Sequence, residues 1–117
     1  MHSEKEFMKL ATDFRKCHPV LVALGDENRL HILYQMMCSQ NPRGIRVGEI
    51  VERSSLSRPA VSHHMKILKD SNIVSVRREG TKNYYYIDPD MDSFKALISV
   101  LQRAVDYSSE LPYRGEE

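Results

Sequence analysis

Residues 57–70 read S-R-P-A-V-S-H-H-M-K-I-L-K-D, and this stretch decides the fold. Ser57 can cap a helix through its hydroxyl, and Pro59 falls in the first turn, where a missing N–H costs nothing. Leu56 and Val61 stand at the two ends of a hydrophobic staple. At helical spacing Val61, Met65 and Leu68 share one stripe, with Ala60, His64 and Ile67 on its shoulder. Ser62, His63 and Lys66 point the other way, and Arg58 stands at the exposed N-terminus. A helix dry on one face and offering Arg, Ser, His and Lys on the other is suited to a groove of DNA.

Outward from that helix, Arg46 to Arg53 forms a short helix with Val47, Ile50 and Val51 inward, and Ser54-Ser55-Leu56 turns the chain between the two. Helix, short turn and longer capped helix make a helix-turn-helix. After Asn72 the period changes from helical to alternating. Ile73 to Arg78 and Asn83 to Ile87 read as strands joined by Glu79-Gly80-Thr81-Lys82, where Gly80 can take a positive φ. The product is a β-hairpin tipped with Arg77, Arg78, Thr81 and Lys82. Tyr85 should face opposite to Tyr84 and Tyr86.

Toward the N-terminus, Ser3 and Glu6 form a capping box that opens a helix to about Lys16. Phe7, Leu10, Ala11 and Phe14 make its apolar stripe, continued by Cys17, and this stripe must cover the core or a second subunit. Val20 to Leu24 reads as a short apolar turn ended by Gly25. Asp26 caps a helix to about Ser39. Leu30, Leu33, Tyr34 and Met37 lie on one face of it and Ile32 and Met36 on another, as for a helix wedged between neighbours. Asn41 to Gly44 is a turn by composition. At the other end, Asp88-Pro89 supplies a cap and first-turn proline for a last helix to about Glu110, striped by Phe94, Leu97, Ile98, Leu101, Ala104 and Val105. The tail from Pro112 is expected to fray.

The 117 residues fit one domain of modest core, with 41% apolar content and a net charge of only +1. The charge is unevenly spread. Arg53 to Asn83 holds seven Lys/Arg against two acids, so this segment carries +5 and the remainder −4. A basic middle in an acidic frame is an electrostatic footprint for nucleic acid. No run is apolar enough to span a membrane, and the N-terminus has no signal-peptide core, which predicts a cytoplasmic protein. Cys17 and Cys38 lie far apart and form no CxxC pair. There is no Gly-rich phosphate loop, no pair of carboxylates in an apolar setting and no Cys–His pair by spacing, so enzyme activity is not expected.

Two segments resemble the ArsR/SmtB family of metalloregulatory and related repressors. Leu24 to Leu33 (L-G-D-E-N-R-L-H-I-L) is similar to the family's L-x-D-P-x-R-L-x-I-L stretch. Leu56 to Val74, followed by R-R-E-G-T-K-N-Y-Y-Y, resembles its recognition helix and wing. The resemblance implies a mainly α (α+β) winged helix-turn-helix in a single domain over 1–117. Its helix-turn-helix would lie at about 46–70, its wing at about 73–88 and its dimerisation helices at about 3–17 and 90–110. It implies a homodimeric repressor on a palindromic double-stranded operator, released by a small-molecule or redox effector, with no cofactor. DNA contacts are assigned to Ser57, Arg58, Ser62, His63 and Lys66 on the helix and to Arg77, Arg78, Thr81 and Lys82 on the wing. The dimer interface is assigned to Phe7, Leu10, Phe14, Phe94, Leu97, Ile98, Leu101 and Val105.

Metal-sensing members carry Cys ligands in the first helix of the helix-turn-helix, or His and carboxylate pairs on the last helix. Val47 to Arg53 has neither Cys nor His, and Met91 to Glu110 has no His. Cys17, His18, His31 and Cys38 are left as sensor candidates, either for a metal or as a Cys17–Cys38 disulfide. The alternative function is a protein-interaction module whose basic face binds an acidic partner.

Overall fold

The computed structural model describes residues 1–112; the tail expected to fray lies, from residue 113, outside the described residues. Six α-helices and one hairpin follow in the order α1 (Glu4–Lys16), α2 (His18–Leu24), α3 (Glu27–Cys38), α4 (Val47–Glu52), α5 (Arg58–Asp70), β1 (Val74–Glu79), β2 (Lys82–Ile87) and α6 (Asp92–Tyr107). A 3-10 turn over Ser108–Glu110 ends the last helix. The caps read from the sequence are present. Ser3 and Glu6 close a capping box, Asp26 accepts from the Arg29 N–H, and Ser57 accepts from the Ala60 N–H.

The core collects on α5. Val61, Met65 and Leu68 are fully buried, and Ala60, His64 and Ile67 are half-buried beside them, as the helical stripe predicts. Ile32, Leu33 and Met36 of α3, Ile50 of α4, Ile73 and Val74 close over them. Burying such side chains stabilises by about 1.5–3 kcal/mol each.

Three expectations are corrected. Val20 to Leu24 is not a turn but part of the helix α2, with Pro19 in its first turn and Val20 and Ala23 buried. The last helix starts three residues later than Asp88-Pro89 suggests. Asp88 Oδ1 accepts from the N–H groups of Asp90 and Met91 and so closes a turn before the helix, while Met91 stands at the N-cap position with φ +51°. Finally, α3 is one-sided within the protomer: Leu30, Tyr34 and Met37 are exposed while Ile32, Leu33 and Met36 are buried.

The hairpin pairs Val74 with Ile87 through Glu79 with Lys82, so Gly80 and Thr81 form its tip, with Gly80 at φ +63°. A third chain segment joins it. Ile45 and Tyr85 exchange backbone hydrogen bonds of 2.7 and 2.8 Å, anchoring the loop before α4 to the wing. Gly44 makes this approach feasible: it sits at φ +102°, and a Cβ there would lie 2.5 Å from the Tyr85 carbonyl oxygen.

Helices α1 and α6 run antiparallel as an arm. Asp13 accepts from Arg103 at 2.9 Å near one end. At the other, the His2 ring stacks on Tyr107 at 3.6 Å, Phe7 meets Tyr107 edge-on, and Glu110 accepts from the His2 N–H. The arm extends the molecule to 58 × 29 × 23 Å with a radius of gyration of 18.2 Å. A compact chain near this length measures about 13 Å. No residue of α1 is buried.

Replacing Gly80 by Ala is expected to cost about 1 kcal/mol, the strain of a left-handed residue in open space. Gly44→Ala adds a collision with Tyr85 and should cost roughly 3 kcal/mol. Urea denaturation of both variants checks the order, which equal midpoints would refute. The bonds from the His2 N–H and ring hold the Glu110 carboxyl below its ordinary 4.5. A carboxylate with a lowered folded pKa stabilises above the unfolded value and loses that contribution as pH falls through the folded one. Glu110→Gln should therefore be less stable than the parent near neutral pH, with the gap closing below about pH 4.5.

Candidate nucleic-acid interface

The helix-turn-helix presents α5 with its stripe inward, and that orientation fixes what remains outside. Ser57, Arg58, Ser62, His63 and Lys66 are all exposed, as are Arg77, Arg78, Thr81 and Lys82 on the wing. Arg58, Ser62 and Thr81 meet in a polar cleft of about 530 Å³ between α4, α5 and the hairpin. His63 and Lys66 lie outside that cleft, farther along α5.

The structure adds residues that the chain order did not single out. Arg46, immediately before α4, and Asn83 of β2 line the same cleft. Arg46 and Arg77 each lie 5.9 Å from the centre of the Tyr84 ring, a cation–π arrangement that holds both guanidiniums beside the wing. Glu49 and Glu52 face the cleft as well, so the positive footprint in space is smaller than a count along Arg53 to Asn83 suggests. A carboxylate here is also an acceptor for a cytosine amino group. The signal for Arg46 was its place at the N-cap of α4, the helix that crosses the backbone in this motif.

The wing cations are not equally free. Arg77 donates to the Arg43 carbonyl at 2.9 Å and lies 3.4 Å from Glu79, and Arg78 donates to the Gly80 carbonyl at 2.9 Å. Lys82 and Thr81 stand at the tip. On α5, Lys66 binds Asp70 at 2.8 Å. That hydrogen bond, reinforced by charge, raises the Lys66 pKa and lowers that of Asp70.

Beneath the exposed face, Arg29 positions the recognition helix. Its side chain is only 9% exposed. Nε donates to the Ala23 carbonyl at 2.8 Å, one terminal nitrogen donates to Val22, and the other lies 3.1 Å from His64 Nδ1. Guanidinium has only donors, so Nδ1 must be the acceptor and the His64 proton sits on Nε2. The Arg29 guanidinium therefore ties the last carbonyls of α2 to the middle of α5. Its backbone N–H, donated to the Asp26 carboxylate, lowers the Asp26 pKa, assisted by the guanidinium charge.

The residues assigned to the dimer interface divide. Phe14, Ile98, Leu101 and Val105 are exposed, Phe7, Leu10 and Phe94 are half-buried, and Leu97 is buried in the protomer's own core. Leu97 is therefore withdrawn from the interface. The four sensor candidates are not brought together. Cys17 is buried beside α6, and His18 lines a hollow on the outer side of α1. His31 stacks on exposed Tyr34, and Cys38 is an exposed free thiol. Among the described residues no three His, Cys, Asp or Glu side chains converge as metal ligands would.

A capped helix exposed between a supporting helix and a two-stranded wing defines a winged helix-turn-helix regulator that binds DNA. Residues 26–76 match the bacterial regulatory protein, arsR family. The arsenical resistance operon repressor of Staphylococcus aureus is 31% identical over 75 residues, covering 64% of this chain and 68% of the repressor. HlyU from Vibrio cholerae, a transcriptional activator, is 30% identical in its solved structure, with a TM-score of 0.57 over 76% of this chain and 90% of its own. The homodimeric winged helix-turn-helix DNA-binding domain of a Mycobacterium bovis protein shares the fold at 23% identity and a TM-score of 0.57, covering 98% and 97% of the two chains. The chain belongs to the ArsR family of transcriptional regulators.

Because Lys66 is held by Asp70, Asp70→Asn should release it toward phosphate and tighten binding to duplex DNA. Lys66→Ala should weaken binding and reduce the salt slope by about 1. Fluorescence anisotropy at several salt concentrations measures both, and an unchanged slope in Lys66→Ala would exclude a phosphate contact.

Proposed function

We propose that this protein is a cytoplasmic homodimeric repressor that binds a palindromic double-stranded operator through α5 and the wing, and that an effector releases it. Residues 1–117 would act as one winged-helix domain with a dimerisation arm. The exposed apolar stripe of α6 carries this reading. Ile98, Leu101 and Val105 are 65%, 47% and 68% exposed on a helix whose adjoining side, Leu97 and Val100, already serves the core. Phe14 and Met8 on α1 are exposed apolar residues as well. An apolar stripe on a projecting arm is uncovered only in the lone protomer, since contiguous exposed apolar surface marks an interaction site. A second copy is self-complementary across a two-fold axis and sets two recognition helices side by side.

On that axis Ser57, Arg58, Ser62, His63 and Lys66 would enter successive major grooves, with half-sites about 34 Å apart. Arg46, Thr81 and Lys82 would hold the flanking phosphates, and phosphate contacts position more than they specify. Repression rather than activation is the reading favoured by the relatives named as repressors, and HlyU shows that this scaffold also serves an activator. A protein-docking role is disfavoured by the outer face of α5, where Ser62, His63 and Lys66 supply no apolar anchor.

The test is a pair of charges on the arm. Ile98→Glu with Leu101→Glu alters residues exposed in the protomer, so helical circular dichroism should be unchanged. Sedimentation should report a monomer, and affinity for an operator selected from random duplex DNA should fall at least a hundredfold. A variant that stays dimeric overturns the interface. A folded parent dimer that selects no duplex overturns the DNA-binding reading.

A further inference from the structure

A second cleft, of about 400 Å³, lies between the arm and the far end of the recognition helix. Its size is within the range of small-molecule sites. Pro19 and Val20 of α2 and Ala96 and Val100 of α6 give it apolar walls. Asp70, Ser71 and Asn72, where α5 ends, close one side. Across it the Ser93 hydroxyl donates to the Asn72 carbonyl at 3.3 Å, a link between α6 and the end of α5.

Charge decides what fits. Asp13 is already met by Arg103 at 2.9 Å and by Lys9 at 3.3 Å, and Asp70 by Lys66 at 2.8 Å. Lys16 makes no ion pair among the described residues, and Arg103 shares its single carboxylate with Lys9. The α1–α6 rim thus carries uncompensated positive charge above an apolar floor. The buried Cys17 thiol lines that floor and makes no hydrogen bond among the described residues.

We propose that this cleft is an effector site for a small organic monocarboxylate, with its carboxylate between Lys16 and Arg103 and its short apolar tail against Val20, Ala96 and Val100. The occupant touches both the arm that sets the spacing of two recognition helices and the end of the recognition helix itself. It spreads the Ser93–Asn72 link and lowers DNA affinity. The regulatory half rests on the proposed function; the binding half does not.

The experiment titrates isotopically labelled full-length protein with hexanoate and, separately, with hexylamine, without DNA. Saturable amide shifts with hexanoate should fall on Lys16 to Val20 and Ser93 to Arg103, and hexylamine should give none. Lys16→Ala should weaken hexanoate binding roughly tenfold, the loss of one charge-assisted contact. Ala96→Leu, at an exposed helical position whose longer side chain fills the cleft, should abolish it while leaving the spectrum folded. No saturable binding by hexanoate, equal binding of hexylamine, or shifts confined to the Ile98–Leu101–Val105 stripe would each overturn the site. Hexanoate should also weaken operator binding about fivefold or more, and by linkage the operator should weaken hexanoate binding by the same factor. Saturable binding that leaves operator affinity unchanged overturns the regulatory half alone. Hexanoate binding by a protein that selects no duplex overturns the DNA-binding reading alone.

Discussion

The structure depends on keeping one helix dry on one face and wet on the other. Val61, Met65 and Leu68 lose all contact with water, while Ser62, His63 and Lys66, interleaved with them, keep theirs. Neighbours in sequence on a helix point about 100° apart, so neither set can move without moving the other. The elements packed against α5 are placed by that constraint. Helices α2, α3 and α4 and strand β1 crowd the dry side, and the wing flanks the wet side without covering it.

Arg29 makes that arrangement directional. Apolar packing alone would tolerate small rotations of α5, because dispersion contacts are individually weak and non-directional. A guanidinium fixed by the Val22 and Ala23 carbonyls and bonded to His64 is not tolerant: rotation of α5 leaves a buried donor without a partner. Such an unmet group costs about 1–3 kcal/mol, more when charged. The rotation of the recognition helix, which determines the side chains that face a DNA groove, is thus set from inside the protein by a polar group.

The dry stripe of α5, its caps, the hairpin and the outward residues were legible from periodicity, since each is a local pattern that burial then rewards. The misreadings share a cause. Pro19 punctuates a sequence equally well as a turn or as the first turn of a helix, and only the buried Val20 and Ala23 decide for α2. Asp88-Pro89 carries the signature of a helix start, yet the Asp88 carboxylate is taken by the Asp90 and Met91 N–H groups. Arg46 and Arg29 escaped because charge counting along the chain does not see folding: the first reaches the cleft through the Ile45–Tyr85 bridge, and the second is buried by partners 6, 7 and 35 residues away. Glu49 and Glu52, just outside the basic segment, return to its face in space.

The same distinction bears on how such a domain is switched. The familiar ligand positions on the helices before and after the recognition helix hold no Cys or His here, and among the described residues no three His, Cys, Asp or Glu side chains converge. Beside the apolar packing, two side-chain hydrogen bonds among the described residues tie α5 and its end to other helices: Arg29 joins it to α2, and the Ser93–Asn72 link joins its end to the arm. The first is buried and hydrogen-bonded through each of its three nitrogens, so disturbing it costs folding stability. The second lies at an open cleft and is a single exposed hydrogen bond. Of the two, the joint between the arm and the end of the recognition helix is the more accessible, a single hydroxyl–carbonyl bond at the edge of a cleft.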